Sequence, residues 1–322
     1  TALHSGSKYL GFRFPRTSNL SRLLGFTVQT GTFAGGNLTM MILPALAVAA
    51  NVLMLPIGPN RVVLAEPGYT NLANGRATEV SAIAKAAAPV KFLLFGESHD
   101  NKNHKEALAD IIRALTAEGR TVIVGLEMFT RPNQKNLNPW SMGYWSDEQF
   151  QTEADWKNQW GFDYSIYKPL FDVVKELRLP MVALNVPRDW VRAVTRRTYE
   201  NLPDDIKGQV PPIDRSNANH KMVFDALMGD HPPTASQPDM YGAQVYWDTA
   251  MADSALKAMK RWTESSDRIM VILAGSGHVV YDQGINYRLY QQGGMASVSV
   301  IGLDGDTPTK VRASIGNFTL MR

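Results

Sequence analysis

Residues 91–104, KFLLFGESHDNKNH, constrain this chain more than any other stretch. Lys91–Phe95 is a short, mostly apolar run that stops at Gly96, and such a run bounded by glycine reads as a buried strand. Glu97, His99, Asp100 and His104 follow at once. Polar groups just past the carboxyl end of a buried strand occupy the place where open α/β sheets bind ligands. A fold built on this strand needs other strands to deliver partners to the same edge.

Four later runs read as strands: Thr121–Leu126, Met181–Leu184, Arg268–Ala274 and Ala296–Ile301. Helical spacing separates them. Leu108, Ile111, Ile112 and Leu115 mark a helix over 103–118. Ser146-Asp147-Glu148-Gln149 is a capping-box start, and 167–177 continues as helix. Pro187 suits the first turn of another helix. Further helices are expected over 79–88, 218–227, 240–262 and 286–292, and an edge strand within 310–315. This alternation predicts an α/β fold, a mostly parallel sheet flanked by helices, with a helical insertion before residue 161. Three segments are expected: a targeting or anchor segment over 1–65, a polar lead-in over 66–89 and the α/β domain over 90–322.

In a parallel sheet the strand ends lie on one side. Glu97 and His99 then meet Glu127 of GLEMF, Asn185 and Arg188 of NVPR, and His278 of GSGH in one crevice. Glu97, His99, Glu127 and His278 are donor types that a divalent zinc, manganese or iron ion accepts. The same four can do acid–base work without metal, each glutamate orienting an imidazole. On the long helix, Gln244, Trp247, Asp248 and Met251 share one stripe. Core packing accounts for Trp247 and Met251, but not for Gln244 and Asp248, so that face is expected to look into the crevice. His104, inside the following helix, is expected to be a supporting or surface residue. No GxGxxG fingerprint, Walker loop or GxSxG elbow is present. Aromatic residues are dense from Trp140 to Tyr167, either as a satellite core or as an apolar wall for a flat ligand, with a tyrosine as iron ligand.

Composition removes several classes. There is no cysteine, hence no disulfide scaffold, thiolate metal site, cysteine nucleophile or lipoprotein lipobox. The net charge of +3 comes from the first 65 residues, which hold Lys8, Arg13, Arg16, Arg22 and Arg61 and no acid. Residues 66–322 are slightly acidic, which gives no electrostatic case for nucleic acid. The basic, Ser/Thr-rich start and the apolar run Thr39–Ile57 read as a bipartite presequence ending near Val63-Leu64-Ala65, or as a retained membrane anchor. A start at Met40 or Met41 would leave a bacterial export signal.

GESHDNKNH, GLEMFTRPNQ, ALNVPR, QVYWDTAMA and GSGHVVYDQGI together resemble the ChaN-like haem-binding family of the Tiki/erythromycin-esterase-like superfamily, over roughly Val90–Ile301. The resemblance implies an α/β fold and a haem- or iron-linked role in the bacterial envelope, with haem at a homodimer interface and a tyrosine on the iron. Tyr164, Tyr167 and Tyr281 lie nearest the matched motifs, and Arg188, Asn185, Gln244 and Asp248 join them as expected cofactor contacts. Related branches use the positions of Glu97, His99, Glu127 and His278 for hydrolysis, some with a metal. The missing lipobox and the acid-free leader depart from the bacterial pattern and fit a plastid protein of the thylakoid lumen or membrane, with the bacterial periplasm as the alternative. The expected function is haem binding in iron or tetrapyrrole handling, the ligand held at the sheet edge or a dimer interface. The alternatives are a hydrolase, metal-dependent or not, and a membrane-anchored accessory subunit of a larger complex.

Overall fold

The computed structural model describes residues 51–229, 234–262 and 265–322. The leader reading for residues 1–50 lies outside them. Three short strands come first: β1 (Val62–Ala65), β2 (Gly68–Asn71) and β3 (Arg76–Thr78). Helix α1 (Val80–Ala86) leads into β4 (Phe92–Glu97), α2 (Lys102–Ala117) and β5 (Thr121–Thr130). The insertion holds α3 (Asn138–Ser141), α4 (Asp147–Glu153), α5 (Trp156–Gln159) and α6 (Tyr164–Glu176). Both halves of the capping box form at Ser146 and Gln149.

After it come β6 (Met181–Asn185), α7 (Arg188–Arg197), α8 (Asp204–Lys207), α9 (Ala218–Met228) and α10 (Met240–Arg261). The chain closes with β7 (Arg268–Gly275), α11 (Ile285–Gly293), β8 (Ser297–Leu303), β9 (Thr309–Arg312) and β10 (Phe318–Met321). No helix among the described residues is long and apolar enough to cross a membrane.

The main sheet runs β3-β2-β10-β8-β4-β7-β5-β6. Strands β10, β8, β4, β7, β5 and β6 are parallel, and β2 and β3 add antiparallel at one edge. Burial on both faces explains the continuous apolar runs. Alternation sends Leu93 and Phe95 into a core with α2, α6 and the insertion aromatics. Phe92 and Leu94 face the opposite core, with Met251, Ala255 and Leu289 of α10 and α11.

Two expectations change here. The polar lead-in over 66–89, where only a helix over 79–88 is expected, also carries β2 and β3 at the sheet edge. The expected edge strand of the tail, β9, pairs instead with β1 in a separate two-stranded sheet, while β10 enters the main sheet beside β8.

Residues 51–65 belong to this packing. Val52, Leu53, Ile57, Val63 and Ala65 are buried in the α10/α11 core. The Tyr281 hydroxyl donates to the Val52 carbonyl at 2.7 Å and accepts from the Leu55 N–H at 3.0 Å. A boundary after residue 65 would separate β1 from β9 and empty five core positions. At roughly 1.5–3 kcal/mol per fully buried Val, Leu or Ile side chain, the loss rivals the whole stability of a domain. A chain starting at Asn51 is expected to keep the urea midpoint of the full chain. One starting at Glu66 is expected to lose its cooperative transition, and equal midpoints for the two would refute the packing role of residues 51–65.

Candidate functional site

The carboxyl ends of β4, β5 and β7 lie side by side, with Glu97 paired to Gly275 and Leu126 to Leu273. Between Leu126 and Thr130 the ladder from β5 to β6 shifts register, so β5 bends where Glu127 sits. Asn185, at the end of β6, donates to the Glu127 carbonyl at 3.2 Å and fixes that bend.

The first arm of the site starts at Glu97. Its Oε1 accepts from the Tyr167 hydroxyl and from His99 Nδ1, both at 2.8 Å. Lys105 Nζ lies 2.5 Å from Oε2 as an ion pair, and its hydrogen bonds go to the carbonyls of Ser98, His99 and Asn101. Burial alone would raise the Glu97 pKa, but the Lys105 ammonium and His99 outweigh it and hold the carboxyl at about 2. With Nδ1 turned to Glu97, Nε2 is the His99 nitrogen left for another partner. That nitrogen has no hydrogen bond among the described residues. Trp160 and Phe162 flank the ring at centroid distances of 4.6 and 5.4 Å.

Gly275 is where the first arm meets the second. A β-carbon there would stand 3.2 Å from His99 Nε2 and 3.8 Å from Glu127 Oε2, so only glycine leaves the notch open. The Gly275 N–H donates to Glu127 Oε2 at 2.7 Å. Glu127 Oε1 lies 3.4 Å from His278 Nε2, and His278 Nδ1 lies 2.5 Å from Asp248 Oδ1. The Gln244 amide nitrogen sits 3.0 Å from the same Nδ1. Burial opposes charging His278, but Glu127 and Asp248 prevail and raise its pKa to about 10. Burial likewise opposes the Glu127 and Asp248 carboxylates, and His278 pulls both below the usual range.

The structure thus brings Glu97, His99, Glu127, His278, Gln244, Asp248 and Asn185 together. Arg188 opens α7 half-buried beside them, its guanidinium donating to the Gln159 carbonyl, with Glu127 in electrostatic reach. The tyrosines fall elsewhere or in other roles. Tyr167 is fully buried beneath Glu97. The Tyr164 hydroxyl is buried without a partner in the aromatic core, its ring stacked on Phe171. Tyr281 is committed to the backbone of residues 52–55.

The expected metal set is an ion-pair network instead. Lys105 neutralises Glu97, and His278 is held as a cation between two carboxylates. Among the described residues, no three His, Asp or Glu side chains converge as a metal site. His104, expected to be a supporting or surface residue, is fully buried and accepts the Ser98 N–H at 3.0 Å through Nδ1. Lys105 and His220 were not anticipated. Lys105 stands three residues before Leu108 on the buried stripe of α2, and that position was the available signal.

The family model for haem-binding uptake, Tiki superfamily, ChaN matches residues 83–289. The chain belongs to this family. Among solved structures, ChaN of Campylobacter jejuni, described with cofacial heme binding, aligns with a TM-score of 0.61 at 16% identity, over 82% of this chain and 98% of that one. The likeness is one of fold. The type III effector HopBA1 aligns at 0.42 and 9% identity over 80% and 95% of the two chains. The erythromycin esterase EreC aligns at 0.43 and 11% over 73% and 77%. No curated protein matches the sequence.

Removing one partner of a buried ion pair costs about 3–5 kcal/mol. Lys105→Met is expected to destabilise by that order in urea unfolding, and adding Glu97→Gln to recover much of it. Equal midpoints for wild type and Lys105→Met would refute the pairing.

The pH dependence follows from two signs. Glu97, lowered from 4.5, contributes stability that is full above pH 4.5 and lost as pH falls toward 2. His278, raised from 6.5, contributes stability that is full below pH 6.5 and lost as pH rises toward 10. Unfolding free energy should therefore peak between these limits, with the alkaline decline absent in His278→Gln.

Proposed function

We propose that this chain binds haem in iron or tetrapyrrole handling and offers His99 Nε2 to the iron. Family membership supports the ligand. The observation that carries the assignment of the atom is the tie between His99 Nδ1 and the buried Glu97 carboxylate. A histidine whose second nitrogen is held by a carboxylate has fixed orientation and raised basicity, the usual disposition of a metal-ligating imidazole. Trp160 and Phe162 pack edge-on against the His99 ring as apolar neighbours. The buried hydroxyls of Tyr164, Tyr167 and Tyr281 fit an iron ligand less well. Haem would supply the redox and ligand-binding chemistry of its iron, with His99 to hold it and Trp160 and Phe162 as its apolar neighbours. The basic, acid-free leader supports work in a plastid or bacterial envelope compartment.

Titrating hemin into the purified chain should shift the Soret band to a one-to-one endpoint. His99→Ala should weaken binding at least tenfold, and Tyr164→Phe and Tyr281→Phe should leave it unchanged. An unshifted spectrum with wild-type protein overturns haem binding, and an unaffected His99→Ala overturns the ligand.

A second reading rests on the notch itself. His99 Nε2 and Glu127 Oε2 both border the space beside Gly275. A water held there would give a proton to His99 as it attacks an ester or amide carbonyl, with His99 as general base. The reading predicts turnover on an ester and peptide panel that both His99→Ala and Glu127→Gln abolish. Silence across that panel removes it.

A further inference from the structure

The second arm does not end at Asp248. Its other oxygen, Oδ2, is 2.8 Å from His220 Nε2, and His220 Nδ1 is 3.2 Å from the Tyr241 hydroxyl. A linked series of ionisable groups therefore runs from Glu127 in the crevice through His278, Asp248 and His220 to Tyr241. Asp248 and His220 are sealed, at 0% and 1% side-chain exposure, whereas Glu127 and His278 each retain 10%. The sealed pair is out of reach of the crevice, yet it holds His278, which is not.

We propose that Asp248 and His220 are positioning residues that clamp the His278 ring through Nδ1, so that its Nε2–H is aimed at Glu127 and the Glu127 carboxylate stays beside His99. Hydrogen-bond roles follow from the charge on His278, which leaves the Gln244 amide nitrogen a close neighbour of Nδ1 and not its donor. A charged His278 donates from Nδ1 to Asp248 and meets Glu127 as an ion pair, Nε2 3.4 Å from Oε1. His220, whose pKa burial lowers, is neutral and donates Nε2–H to Asp248 Oδ2. Its Nδ1 then accepts from Tyr241. Each Asp248 oxygen thereby has its own donor, which holds the carboxylate against rotation.

The charged and polar groups around His278 come from several elements. Glu127 faces it from β5, and Asp248 and Gln244 face it from α10. Behind Asp248 stand His220 of α9 and Arg288 of α11, the latter 3.7 Å from Oδ2. Arg288 cannot replace His220 as the orienting donor. Its Nη1 is committed to the Gln283 and Gly284 carbonyls, and its Nε to Thr249. Trp247 adds an edge contact to the His278 ring at 6.0 Å.

The inference deepens the acid–base reading of the crevice, and it is tested on the resting chain without hemin or substrate. Its failure and the failure of that reading are thus separate results. Nitrogen-15 NMR of histidine-labelled chain should show His278 charged to beyond about pH 8, as expected of an imidazolium paired with carboxylates. In Glu127→Gln it should stay charged to that limit, because Asp248 holds it. In Asp248→Asn its midpoint should fall by at least about two pH units. The Nδ1–H signal of His278 should be broadened in His220→Leu and restored in His220→Gln, whose amide can donate to Asp248. A midpoint near the ordinary histidine value in Glu127→Gln overturns the proposal, even where Asp248→Asn fails to fold. An Nδ1–H signal unmoved by His220→Leu overturns the part given to His220.

Discussion

The Glu97 carboxylate, buried at the end of a central strand, is the constraint that the rest of the site depends on. An ionised carboxylate out of water is tolerated only with charge and hydrogen bonds around it. Lys105, Tyr167 and His99 provide them, and each comes from a different part of the chain. Lys105 ties α2 to the sheet edge and also binds the carbonyls of the loop after β4. Tyr167 ties the helical insertion to the same carboxylate. Orientation of His99 is thus a by-product of satisfying Glu97, and a change at either helix reaches the imidazole.

The sheet sets the distance between the two arms. Parallel pairing of β4, β7 and β5 puts Glu97, Gly275 and Glu127 on adjacent strands, and the register slip in β5 turns Glu127 toward Gly275. Glycine is required there because the His99 ring lies where a side chain would stand. The second arm needs α10 packed across the opposite face, since Asp248 shares that helix with the buried Met251 and Ala255. One helix therefore holds a core and presents a carboxylate.

How much of this could be read from residues alone depends on how each residue is buried. Strands β4 to β8 are buried on both faces, so their apolar runs are plain in the sequence. The strands β2 and β3, written GYTN and RAT, have three or four residues and no clean alternation, and only pairing with β10 makes them strands. Glu97, His99, Glu127 and His278 were legible because strand ends converge. Asp248 was legible because a carboxylate on an apolar stripe needs a reason. Lys105 and His104 carry the same signal on the stripe of Leu108, Ile111 and Ile112, but lysine and histidine near a helix start look solvated in a sequence. His220 precedes the buried Val223 and Phe224 by three and four residues, a spacing that predicts a buried ring without saying what it binds. Tyr281 could not be read, because its left-handed backbone, φ 59°, and its grip on residues 52–55 are products of tertiary packing.

The two arms end in histidines with opposite duties, and the difference lies in how many carboxylates each one meets. His99 meets one, Glu97, whose charge is already answered by Lys105. Its second nitrogen is left without a protein partner among the described residues. His278 meets two, and the cation nearest them, Arg288, stands 3.7 Å from Asp248 with its Nη1 and Nε bound elsewhere. A buried carboxylate pair with no nearer cation draws the proton onto the imidazole between them. A lysine in one arm and its absence in the other thus leave His99 Nε2 without a protein hydrogen bond and make His278 a cation held between two carboxylates. Beside Gly275 the unpaired His99 nitrogen and a Glu127 carboxylate held by the Gly275 N–H therefore border the same space.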